Sequence, residues 1–238
     1  MTLEKKLNLT KTFLLLLFSL GILIQSCETK LPDGKRDPGV THFDTPRNDA
    51  LPYFRGKDLE PFWMKKEEIP PDARGVGAFS FIDQNDRTVT QEILKKKITI
   101  VSFFFAKCHG ICPNIVRNLK HVQDEYGKDS EVQILSFSVT PDLDTPSELR
   151  KFAGEKGILP EKWTLLTGER EKIFQIGRNT FQADTDAASD KASEKDFVHS
   201  ERIYLIDGDL RFRGVYNGNK RDSVETLIQD IKLLEKKG

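Results

Sequence analysis

The sequence predicts an α/β fold, in which a mixed sheet is covered by helices. Three observations point to it. Two unbroken apolar runs, ITIVSFFFA (98–106) and VQILSFSV (132–139), are rich in β-branched and aromatic residues, as expected of strands buried on both faces. Stretches bearing helix start and stop residues follow each run, so strand and helix alternate. Near the C-terminus RIYLID, Gly208 and LRFRGVYNG read as strand, turn and strand.

The chain has 238 residues, and its 37 basic and 37 acidic side chains cancel, so no global field favours nucleic acid. Lys5, Lys6 and Lys11 precede an apolar run from Phe13 to Ile24. That run is shorter than the roughly 20 residues of a membrane span and suits the core of a signal peptide over residues 1–26. Gln25-Ser26-Cys27 then resembles a bacterial lipoprotein processing site, with cleavage before Cys27 and acylation of its sulfur. A plain signal peptide and a short tilted anchor are the alternatives. Residues 27–50 are polar and rich in Pro and Gly, which suits a flexible tether. In 51–74 aromatics lie among prolines, an extension packed on the domain, and 75–238 form the folded domain.

Within that domain AFSFIDQNDRTVT suggests a hairpin turning at Asn85-Asp86. After the first apolar run a helix is expected over about 113–126, stopped by Gly127. A second helix follows the second run, with Asp144 or Thr145 as N-cap, Pro146 in its first turn and Gly157 as its stop. WTLLTG is a short strand and EREKIFQIG a short helix. The polar stretch 182–195 is an insertion before the strand that carries His199. Val224, Leu227, Ile228, Ile231 and Leu234 form one stripe of a terminal amphipathic helix. Trp63 and Trp163 read as packing residues, and Asp142, Asp144 and Glu148 as caps of the second helix rather than a hard-cation site.

Chemistry concentrates in Cys108-His109-Gly110-Ile111-Cys112-Pro113. Of the three cysteines, lipidation would consume Cys27 and leave Cys108 and Cys112 as a pair, in an exported protein where disulfides form. The pair lies just beyond a central strand, at the mouth of a helix whose N-terminus stabilises thiolate. Three intervening residues, one of them Gly110, let the sulfurs either join or spread about one metal ion. Two thiolates plus an imidazole form a soft set suited to copper, which zinc also accepts. A purely structural disulfide across so small a loop would stabilise little. For the imidazole, His199 follows the insertion, in a loop that could cross the cysteines. His109 lies between them, His121 falls half a turn away from Cys112 on the helix, and His42 is in the tether.

FFFAKCHGICPNIVRNL, SFSVTPDLDTPSELRKFA, WTLLTG and FVHSERIYLIDGDLRF, in this order and spacing, resemble the Sco/SenC family of copper-binding proteins across about residues 75–235. The resemblance implies a thioredoxin-like fold, a membrane anchor, and Cys108, Cys112 and His199 as ligands of Cu(I) or Cu(II). It implies delivery of copper to the copper-binding subunit of cytochrome c oxidase, or exchange with another copper chaperone, with an upstream thiol reductant. The implied place is the outer side of the cytoplasmic membrane, or the periplasm. Ala106 and Thr140 depart from the family's usual Thr and Asp, and Val198 stands where an acidic residue commonly precedes the histidine. That last change bears on how His199 is oriented. The competing function is thiol–disulfide exchange at Cys108 and Cys112, in which His199 is dispensable. A thiol peroxidase would place Thr where Phe105 stands.

Overall fold

In the computed structural model, residues 50–107, 110, 112–127, 131–184, 197 and 200–236 are described. Cys27, Cys108, His109 and His199 lie outside them, as do His42 and most of the insertion. The strands are β1 (Tyr53–Arg55), β2 (Glu60–Phe62), β3 (Ser80–Asp83), β4 (Thr88–Thr90), β5 (Ile98–Phe104), β6 (Val132–Ser138), β7 (Trp163–Thr167), β8 (Arg202–Ile206) and β9 (Phe212–Asn217). The helices are α1 (Cys112–Glu125), α2 (Pro146–Lys156), α3 (Arg170–Gln175) and α4 (Arg221–Glu235).

Among the described residues the main sheet runs β4-β3-β7-β6-β5-β8-β9. β5, β6 and β7 are parallel, and β3, β8 and β9 join antiparallel. The two apolar runs thus occupy the centre, β5 between β6 and β8, and every residue of β6 is buried. Alternation along β5 divides the interior into two layers. Ile100 and Phe104 belong to a layer with Ile115 and Leu119 of α1, Leu149 of α2, and Leu227 and Ile231 of α4. Val101 and Phe103 belong to the other, with Phe81, Phe137, Ile173, Phe174 and Phe181. In the sheet the Ser102 and Ser136 hydroxyls meet at 2.6 Å, and the indole of Trp163 donates to Ser136.

Local signals explain most boundaries. Thr145, in an extended conformation, accepts the Glu148 N–H and starts α2 at Pro146, while Gly157 at φ 65° ends it. Asp144 does not cap this helix, contrary to one of the two N-cap assignments, because its carboxylate turns inward. The short helix expected after β7 also departs from the pattern. α3 runs on into a π-helical turn over Ile176–Phe181, and Gln182 at φ 52° closes it. Residues 51–74, expected only as extended packing segments, contain the β1–β2 hairpin; the Arg213 guanidinium stacks on Tyr53 and donates to the Pro52 carbonyl.

The β3–β4 turn supplies a pH prediction. The buried carboxylate of Asp83 accepts the backbone N–H groups of Asn85 and Arg87 and the Arg87 guanidinium. Burial pushes its carboxyl up, but these donors together hold it below the ordinary value. A depressed carboxyl contributes stability above its unfolded value that is lost as pH falls through its folded value. Asp83→Asn should therefore cost about 1–2 kcal/mol at neutral pH. The gap to the parent in urea unfolding should close as pH falls below about 4. A gap independent of pH would contradict this role.

Candidate functional site

Two strand ends define the candidate site. β5 leaves its ladder with β6 after the Phe104–Ser138 pair, where Val139 N–H still donates to the Phe104 carbonyl. Two residues on, Ala106 N–H donates to Asp144 Oδ2 at 3.1 Å. The same oxygen accepts the Ser138 hydroxyl at 2.6 Å and the Thr140 hydroxyl at 2.9 Å. Asp144 is 1% exposed. A buried carboxylate is stable only where donors satisfy it, and these donors come from the β5 exit and the end of β6. It therefore fixes the direction in which the chain departs toward the cysteine segment. Of the other acidic residues in that pattern, Asp142 pairs with Arg170 and Glu148 lies in the first turn of α2.

Cys112 is the first residue of α1, with Pro113 directly after it. This start sets the Cys112 side chain beside backbone N–H groups of the first turn that have no partner within the helix. An exposed rim is what an open copper site leads one to expect, yet Cys112 is 3% exposed and belongs to the layer containing Phe104, Ile115 and Ile203. Starting a helix directly on the sheet brings its first side chain onto the apolar layer. His121 lies 3.3 Å from Glu225 of α4, so its ring is directed at another helix, as its angular offset from Cys112 predicts.

The second strand end is that of β8. It runs antiparallel to β5 with Thr99 opposite Ile206 and Ser102 opposite Ile203, so its start lies beside the finish of β5. Just before it, Ser200 N–H donates to the Ala183 carbonyl at 2.7 Å. The Glu201 carboxylate accepts the amides of Asn217 and Asn219. The finish of β5 and the start of β8 thus lie side by side at one end of the sheet. Among the described residues no group of three His, Cys, Asp or Glu side chains could hold a metal ion, and two of the three expected ligands lie outside those residues. The donors fit soft-metal chemistry by type, and Cys112 at a helix start fits by position.

Residue reading missed two parts of this end of the sheet. Asp144 looked like a possible helix cap, although Thr145 alone directly precedes Pro146 and has the capping-box spacing to Glu148. Phe197, just past the polar insertion, was given no role, yet its ring packs on Phe103 and Phe174. An aromatic residue two positions from a candidate ligand was the available signal.

Residues 67–235 match the SCO1/SenC family model. A SCO1/SenC family lipoprotein from Bacillus anthracis is similar in structure, with TM-score 0.60 and 30% identity over 68% of this chain and 95% of that one. BsSco, described as a member of the Sco family of cytochrome c oxidase assembly proteins with a disulfide switch, gives 0.57 and 29% over 68% and 93%. Arabidopsis thaliana ScoI with copper bound gives 0.52 and 28% over 66% and 98%.

Proposed function

This chain belongs to the SCO1/SenC family, and from that premise we propose that it carries copper for the assembly of cytochrome c oxidase. Cys108, Cys112 and His199 are the proposed ligands. The observation that supports the proposal is the antiparallel pairing of β5 with β8, which sets the finish of β5 beside the start of β8, with Cys112 packed in the same layer as Phe104 and Ile203. Copper is the cargo, and similar proteins are known with copper bound. Two thiolates and one imidazole leave coordination positions open. A partner's ligand can then enter before one of these leaves, so that no free ion is released. With Cys112 buried, its sulfur is not the first group that such a partner meets.

A membrane anchor through lipidated Cys27, holding the domain outside the cytoplasmic membrane, completes the proposal. The lipoprotein of Bacillus anthracis supports it. Among the described residues no helix is long and apolar enough to cross a membrane.

Replacing His199 separates this function from simple dithiol chemistry. His199→Ala should weaken copper binding at least about 100-fold, more than loss of an outer-shell contact. The reduction of a partner disulfide by Cys108 and Cys112 should continue. Anaerobic copper titration and a disulfide-reduction assay on the same preparation measure the two. Unchanged copper affinity would leave thiol–disulfide exchange as the function, the second reading that the disulfide switch of BsSco favours.

A further inference from the structure

We propose that Phe197 is a positioning residue for His199, held in a seat that the π-helical turn Ile176–Phe181 and its exit provide. The proposal rests on His199 being a copper ligand. The Phe197 ring stacks on Phe103 of β5 at 5.9 Å between centroids and tilts against Phe174 of α3 at 5.1 Å. The Arg178 guanidinium lies 5.8 Å from the Phe197 centroid and 5.2 Å from that of Phe174, and its Nε donates to the buried Asp184 carboxylate at 2.7 Å. The floor of the seat is Gly177, where a Cβ would stand 2.7 Å from the ring. That is closer than side-chain carbons approach, so the ring occupies space that only glycine leaves.

The same turn holds the other flank. Ala183 N–H donates back to the Gly177 carbonyl, and the Ala183 carbonyl accepts the Ser200 N–H at 2.7 Å. Arg202 donates to the Gln182 carbonyl at 3.1 Å. Residues 197 and 200, two positions before and one after the histidine, are therefore tied to one short segment. A Cα lies about 3.8 Å from its neighbour, so these ties restrict where residue 199 can reach. π-helical turns inside α-helices concentrate at functional sites. Here the extra residue in the turn, with a glycine within it, forms the recess that takes the ring. Val198, directly before the histidine, has no carboxylate with which to orient it; the aromatic seat supplies orientation by packing.

The test uses the full chain, reduced and anaerobic, titrated with Cu(I) and Cu(II) against a competing chelator, with thiolate-to-copper absorption recorded. Phe197→Ala should bind copper about 10–100-fold more weakly and shift the absorption band, as loss of a ligand-orienting contact does. Phe197→Leu should restore most of the affinity. Phe197→Ala combined with His199→Ala should be no weaker than His199→Ala alone, since both act through one imidazole. Gly177→Ala leaves no cavity and displaces the ring from the other side; it should reproduce the loss if Phe197→Ala fails to fold. Parental affinity in both Phe197→Ala and Gly177→Ala, with His199→Ala impaired, overturns the seat and leaves the copper site standing. Additive losses in the double variant overturn it as well. Parental affinity in His199→Ala itself refutes the ligand assignment, and the seat with it, in a variant that leaves Phe197 untouched.

Discussion

Cys112→Ser should eliminate copper binding by the reduced protein, lowering affinity by more than about 100-fold and removing thiolate-to-copper absorption. The physical reason is the loss of a soft, charged donor. A serine hydroxyl stays protonated and binds a soft ion poorly. The substitution also puts a hydroxyl into the apolar layer of Phe104, Ile115 and Ile203, where Cys112 is buried, and should cost about 1–3 kcal/mol of stability. The titration is therefore read well below the thermal midpoint of the variant. Cys108→Ser should have the same effect on copper, and either variant should also stop dithiol turnover. The pair thus establishes the thiols as the reactive groups, and His199→Ala assigns them to metal or to electrons. Copper binding of parental strength in Cys112→Ser, measured by anaerobic titration, would place the site elsewhere.

The second large effect is expected at Asp144. Asp144→Ala strands the Ala106 N–H, which donates to it, and deprives the Ser138 and Thr140 hydroxyls of their acceptor. The hydroxyls can turn to other partners, but the backbone amide cannot. The expected cost is about 3 kcal/mol, or roughly 10 °C in thermal midpoint for a domain of this size. Asp144→Asn keeps an acceptor oxygen and should lose about half as much. Thr145→Ala, which removes the N-cap of α2, should cost only about 1 kcal/mol. A penalty for Asp144→Ala no larger than that of Thr145→Ala in urea unfolding would return Asp144 to the role of a helix cap. Sequence alone offered Asp144 beside Thr145 as a cap because Asp is by type at least as good an N-cap as Thr. The convergence of Ala106 and Ser138 on one oxygen is what shows the role that Asp144 has instead.

Much else was legible beforehand. The two central strands, the glycine stop of α2, the β3–β4 turn and the buried stripe of α4 all follow from neighbours in the chain. So does the departure of His121 from the face of Cys112, which is fixed by helical rotation. The π-helical turn was not legible. Its Gly177 meets the ring of Phe197, some twenty positions away, and a glycine inside a helical pattern reads equally well as a stop. Nor was the burial of Cys112, because exposure at a helix start depends on what the helix lies against.

The sequence by itself determined most of the elements and which side chains could carry chemistry: two cysteines ahead of a helix, a histidine ahead of a strand, and the apolar periods that make those strands and helices. These are local properties, set by spacing and side-chain type. The tertiary structure alone decided that β8 pairs with β5, that the Asp144 carboxylate turns inward to the Ala106 N–H, and that Phe197 packs on Phe103. Strand order, buried hydrogen bonds and ring packing join residues far apart in the chain, and their energies exist only once the sheet has closed.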